Sequence, residues 1–135
     1  MSKIIYTEPS GSVSVIHPTG DVKDAIKDVP SGLSYEIVDD NKIPTDREFR
    51  GAWTISSGAV IEDVTKAKVI AHGRRRDKRS TEFKPHDDVI SLNIPGSDAT
   101  AAETARAAIR TKYATMQTNI DNATNIAGIK TALGG

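Results

Sequence analysis

The pattern of apolar positions changes near residue 62 of this 135-residue chain. Before it, short β-branched runs alternate with Gly, Pro and Ser. "KIIY" and "VSVIH" flank the turn cluster "TEPSGS", which predicts a β-hairpin with Val13 and Val15 on one face. "DVKDAIKDVP" carries Val22, Ala25, Ile26 and Val29 at 3-1-3 spacing, the pattern of an amphipathic helix of about two turns. Pro30 and Gly32 end it. "LSYEIVDD" alternates Leu33, Tyr35 and Ile37 against Ser34, Glu36 and Val38 and predicts a further strand. "NKIPTDREFRGAW" is expected as a loop, and "WTISSGAVIE" as a strand pair turning at Ser56-Ser57-Gly58.

After residue 62 the apolar steps lengthen to three and four. Val64, Ala67, Ile70 and Ala71 make one helical stripe. Gly73 weakens it by about 1 kcal/mol relative to Ala, and Pro85 predicts a kink or stop near residue 84. A second helix is expected from residue 98 to about 122. Ser97 or Asp98 can cap it, and Thr100 and Glu103 stand at capping-box spacing. Its stripe of Ala102, Ala105, Ile109, Tyr113, Met116, Ile120 and Ala123 steps by 3, 4, 4, 3, 4 and 3, which suits a helical hairpin or coiled coil. A short terminal helix follows, capped by Thr124 or Asn125 and ended by Gly134. The expected fold class is α+β: a small N-terminal β-rich unit (1–61) of hairpins plus one short helix, then an antiparallel helical hairpin or arm (62–135).

Composition sharpens this picture. Aromatic residues are 4% of the chain, with one Trp and two Phe, so large core residues are scarce and burial against neighbouring subunits becomes attractive. With no cysteine, disulfides, thiolate metal sites and a Cys nucleophile are excluded. No apolar run is long enough for a signal peptide or a bilayer span, so a soluble protein made in the cytoplasm, without membrane contact, is expected. Lys plus Arg and Asp plus Glu each number 18, so only a local patch can attract a polyanion.

That patch is "RRRDKR". Arg74, Arg75, Arg76, Lys78 and Arg79 spread around a helix, because each residue turns about 100°. They make either a solvated or protein-docking face or a nucleic-acid contact, and no aromatic residues interleave to stack bases. His17, His72 and His86 show no i, i+3 or i+4 pairing. His86 with Asp87 and Asp88 is read as a surface turn after Pro85 rather than as a metal site. No nucleophile stands beside a visible base, and no phosphate-cradling loop is present. No cofactor, metal or catalytic residue is therefore expected, and the protein is read as not an enzyme. In the loop before Trp53, Thr45 or Asp46 can shape a tight turn. Phe49 and Trp53 either anchor a structural corner or belong to a docking loop in which Arg47 and Arg50 supply paired contacts.

The stretch "VPSGLSYEIVDDNKIPTDREFRGAW", Val29 to Trp53, resembles a family of small tailed-bacteriophage tail-associated or assembly proteins with an "IPTDRxFRxAW" motif and an Ala/Arg-rich helical C-terminal region. Gly73 departs from that pattern, where related tails prefer a helix former. The resemblance implies a virion structural protein at the tail or neck, made in the host cytoplasm and acting through protein–protein contacts with other phage structural proteins, as a homo-oligomer or symmetric repeat. One alternative is a tail-fibre assembly chaperone absent from the mature particle. Another is a small DNA-associated protein using the basic run. The expected partner-binding residues are Arg47, Phe49, Arg50 and Trp53 in the loop, Arg74, Arg75 and Arg76 on the first helix, and Ile109, Tyr113, Met116 and Ile120 on the second.

Overall fold

Ile4, Ile5 and Tyr6 are all buried although they are consecutive. A strand with three successive buried residues must be covered on both faces, and this is the central strand of the first unit. The computed structural model of the chain describes residues 1–92, 96 and 98–134. It is an α+β fold that divides into two compact units, Met1–Ala67 and Lys68–Gly135.

In the first unit, β1 (Ser2–Thr7) is flanked by β2 (Val13–Ile16) and β3 (Tyr35–Asp39) in the antiparallel order β2-β1-β3. β4 (Trp53–Ser56) and β5 (Ala59–Glu62) form a separate hairpin. Its turn is narrower than expected: Ser57 (φ 50°) and Gly58 (φ 77°) are the two central residues, the paired positive values of a type I′ turn that matches strand twist. β4 packs against β1 and β2, and Ile5, Val13, Val38, Trp53 and Val60 close the core between the two sheets.

The opposite face of β1 lies under Val22–Asp28, which buries Ala25. This segment is a 3-10 helix rather than the expected two α turns. Asp21 caps its start and the chain is already extended at Val29, before Pro30; at 7 residues the segment is longer than most 3-10 runs. β3 also departs from expectation in its facing. Val38 enters the core, while Tyr35 and Ile37 lie on the other face, 41% and 44% exposed.

The second unit is built on α1 (Val64–Leu92), α2 (Ala99–Asn122) and α3 (Ile126–Ala132). α1 starts at residue 64, capped by the Asp63 carboxylate on the Lys66 N–H, and its first turn belongs to the β unit. Asp63 N–H donates to the Ala52 carbonyl and Ala67 is fully buried, which moves the division between units to Ala67–Lys68 from the expected residue 61.

α1 runs through Gly73 and Pro85, so the stop near residue 84 does not occur. Glu82 and Asp87 each pair with α2 on either side of Pro85. α1 and α2 pack as an antiparallel hairpin: as the α1 partner advances through His72, Glu82 and Asp87, the α2 partner retreats through Asp121, Lys112 and Arg106. Asp98 caps α2 by accepting from Ala101 N–H, so no Thr100–Glu103 box forms, and Glu103 pairs with Arg106 and Arg110 instead. The alternative cap at Ser97 lies outside the described residues. Asn125 caps α3, and Gly134 follows it at φ 90°.

Candidate interaction surfaces

The loop before Trp53 is shaped by its own polar groups. Glu48 N–H donates to Asp46 Oδ1, Arg50 N–H to the Arg47 carbonyl and Ala52 N–H to the Phe49 carbonyl. These turns direct Phe49 and Trp53 inward, where both side chains are closed from solvent. Their role is anchoring, and neither is offered to a partner in this conformation. Arg47 and Arg50 remain exposed at the loop surface, with guanidinium carbons 5.8 and 6.0 Å from the Trp53 ring centroid. That is cation–π distance. The structure therefore joins these four expected residues in one cluster whose outer layer is two arginines.

Trp53 stands directly across the hairpin from Glu62. Burial raises the Glu62 carboxyl above its ordinary value, since removing a carboxylate from water disfavours its charged form.

On the helical unit the basic run is drawn into internal contacts. Arg75 Nε donates to His72 Nδ1 at 3.2 Å, and His72 Nε2 lies 2.7 Å from Asp121 Oδ1. This arrangement selects the Nε2–H tautomer of a neutral imidazole. Lys78 Nζ donates to the Leu133 carbonyl at the end of α3, and Lys68 Nζ to the Asp121 carbonyl at the end of α2. Helix C-termini leave carbonyls unsatisfied and carry negative partial charge, so two lysines of α1 cap the other two helices. Arg79 covers the Phe83 ring at 4.7 Å. Arg76 is exposed beside Val69 and Gln117, and Arg74 is half-buried.

The α2 stripe faces inward as its spacing implied. Tyr113 and Ile120 are buried, and Ile109 and Met116 are half-buried. As partner-binding residues Tyr113 and Ile120 need correction, because the chain's own packing already covers them.

A groove of about 570 Å³ opens beside Glu82, Lys112, Tyr113, Met116 and Leu133. Lys112 and Glu82 pair within it. Lys112 Nζ lies 2.7 Å from Glu82 Oε1, and this bond holds the Glu82 carboxyl below its usual range while raising the Lys112 ammonium. Burial, then the neighbouring Glu82 carboxylate, raise the Tyr113 phenol. Farther along, Arg106 Nε and Asp87 Oδ1 lie 3.0 Å apart as an ion pair, without hydrogen-bond alignment.

His17 is exposed, and His86 lies on α1 rather than in a turn. Asp87 and Asp88 are engaged by Arg106 and Lys84. Among the described residues no three His, Cys, Asp or Glu side chains gather as a metal site, and no helix is long and apolar enough to cross a membrane.

Sequence reasoning missed the edge of the first sheet. Among the described residues β3 has β1 on one side only, and it carries the exposed Tyr35 and Ile37. A strand edge cannot be recognised from alternation alone, because pairing order is set by the whole sheet. The two capping lysines were also missed, since their acceptors are backbone carbonyls distant in the chain.

No protein-family model, curated protein or solved structure matches this chain.

Proposed function

We propose that the chain is a non-enzymatic structural protein of a tailed-bacteriophage particle, at the tail or neck, which acts by offering surfaces to other polypeptides. The observation that carries this reading is the open β3 edge. An unpaired strand edge that exposes Tyr35 and Ile37 is a template for another chain, and proteins that stay alone usually blunt it. The two units, each with its own buried residues, suit a part that meets one neighbour through the β unit and another through the helical arm. The resemblance carried by Val29–Trp53 supplies the particle context.

In this reading Arg47 and Arg50 present donors for carboxylates or carbonyls of a neighbour, while Phe49 and Trp53 hold their backbone in place. The internal use of Arg75, Lys78 and Arg79 favours protein contact over nucleic-acid contact for α1. Quantitative peptide mass spectrometry of gradient-purified particles of the encoding phage tests the proposal. A stoichiometric signal is the expected result. A chain made during infection but absent from particles supports the assembly-chaperone alternative.

A further inference from the structure

From the β3 edge we infer that two copies of this chain pair through antiparallel β3 strands, with Ile37 at the two-fold axis, to make a continuous six-stranded sheet. The inference rests on the reading of the chain as a structural protein that acts through polypeptide contacts and names one of its partners as itself.

The hydrogen-bonding sense of β3 follows from its end. Asp40 N–H donates to the Met1 carbonyl at 2.9 Å, in line with the register that sets Ser2 opposite Asp39. Antiparallel strands alternate bonded and non-bonded pairs. Glu36, Val38 and Asp40 therefore turn their backbone groups toward β1, and Tyr35, Ile37 and Asp39 turn theirs outward. The hairpin agrees: Glu8 N–H donates to the Ser12 carbonyl at 2.7 Å, which sends the even residues of β1 toward β2 and its odd residues toward β3.

Pairing about Ile37 uses those outward groups. Ile37 bonds the partner's Ile37, and Tyr35 bonds the partner's Asp39. Glu36 then lies opposite the partner's Val38, so no like charges stand directly opposed. The side chains argue the same way. Ile16, Ile4 and Ile37 are cross-strand partners in one row of the sheet. The row is fully buried at Ile4 and ends 44% exposed at Ile37. The two-fold continues it into the partner's Ile37, so the exposed end of the row is covered by its own copy. Tyr35–Asp39 contains no Pro or Lys, and its charges are the carboxylates of Glu36 and Asp39; charged side chains can protect an edge, but in this register neither carboxylate faces another. A second copy is favoured over an unrelated strand because this register continues the Ile16–Ile4–Ile37 row into its own copy and places each Glu36 against Val38 rather than against another carboxylate.

The test uses the purified full-length chain. It contains no cysteine, so a single introduced cysteine can form a disulfide only between copies. Directly opposed bonded residues have Cα atoms about 5.5 Å apart, within disulfide reach. Ile37→Cys is expected to cross-link under mild oxidation at least ~10-fold faster than Ile61→Cys, an exposed control on β5, and the wild-type chain is expected to sediment as a dimer at ~100 μM. Ile37→Pro removes an outward N–H without touching the β1 ladder, as an edge position permits, and is expected to shift the chain to monomer with its far-ultraviolet circular dichroism retained. A monomeric wild-type chain, or equal cross-linking at positions 37 and 61, overturns self-pairing. Because this test uses isolated protein, its failure leaves incorporation into particles to be judged separately by mass spectrometry.

Discussion

The Lys112 ammonium lies 2.7 Å from the Glu82 carboxylate and joins α2 to α1 across 30 residues of chain. The buried Tyr113 lines the same groove, so charge and apolar packing meet at one point of the helical hairpin. Folding favours the ionised form of Glu82, because its folded value is lowered, chiefly by Lys112. That stabilisation is present above the ordinary Glu range near 4.3 and is lost as pH falls through the folded value. Glu82→Gln is expected to lower the melting temperature at pH 7 and to have a shrinking effect as the solution is acidified below the ordinary Glu range, as read by thermal melts across pH.

Glu62 has the opposite sign. Burial raises its value, so its ionised form opposes folding once pH exceeds the ordinary Glu range. Glu62→Gln is expected to raise stability at neutral pH and to lose that advantage in acid. A destabilised Glu62→Gln variant at pH 7 would contradict the assigned cause.

Two glycines should respond in opposite directions. Gly73 is helical, with open space where a Cβ would stand, so Gly73→Ala is expected to stabilise by about 0.5–1 kcal/mol. Gly58 holds φ 77° in the hairpin turn, and Gly58→Ala is expected to destabilise by about 1 kcal/mol or more. Urea unfolding of both variants checks the pair.

Pro85 interrupts the hydrogen bonding of α1 without ending it. Pro85→Ala restores an N–H that can reach the Thr81 carbonyl, and is expected to stabilise the helical unit by up to ~3 kcal/mol. Hydrogen exchange around residues 81–89 would slow.

The buried anchors should be costly to truncate and the surface arginines cheap. Trp53→Ala and Ile120→Ala are expected to cost about 3–5 and 2–5 kcal/mol respectively, because each leaves a cavity in a small core. Arg76→Ala is expected to stay within about 0.5 kcal/mol of wild type. Arg75→Ala should cost more than Arg76→Ala, since it removes the donor to His72.

These contrasts also mark what the chain's pattern could reveal. The α2 stripe was legible because Tyr113 and Ile120 recur at helical spacing and one face of a helix is a local property. The α+β organisation was legible for the same reason. The path of α1 through Pro85 was not, because the local rule for proline favours a break, and the α2 groups that pack beside residues 82–87 lie far away in the chain. The facing of β3 was hidden because both Ile37 and Val38 are apolar, and only the position of the β4–β5 hairpin decides which one enters the core. At the loop, the tight turn at Asp46 could be anticipated, but the depth of Phe49 and Trp53 could not, so anchors and candidate contacts looked alike.

Cross-linking mass spectrometry on intact, purified particles tests the central claim most directly, because it reads polypeptide neighbours in place. The account predicts links from this chain to a second copy of itself and to at least one different particle protein. Particles that contain the chain but yield only links within a single copy would contradict it.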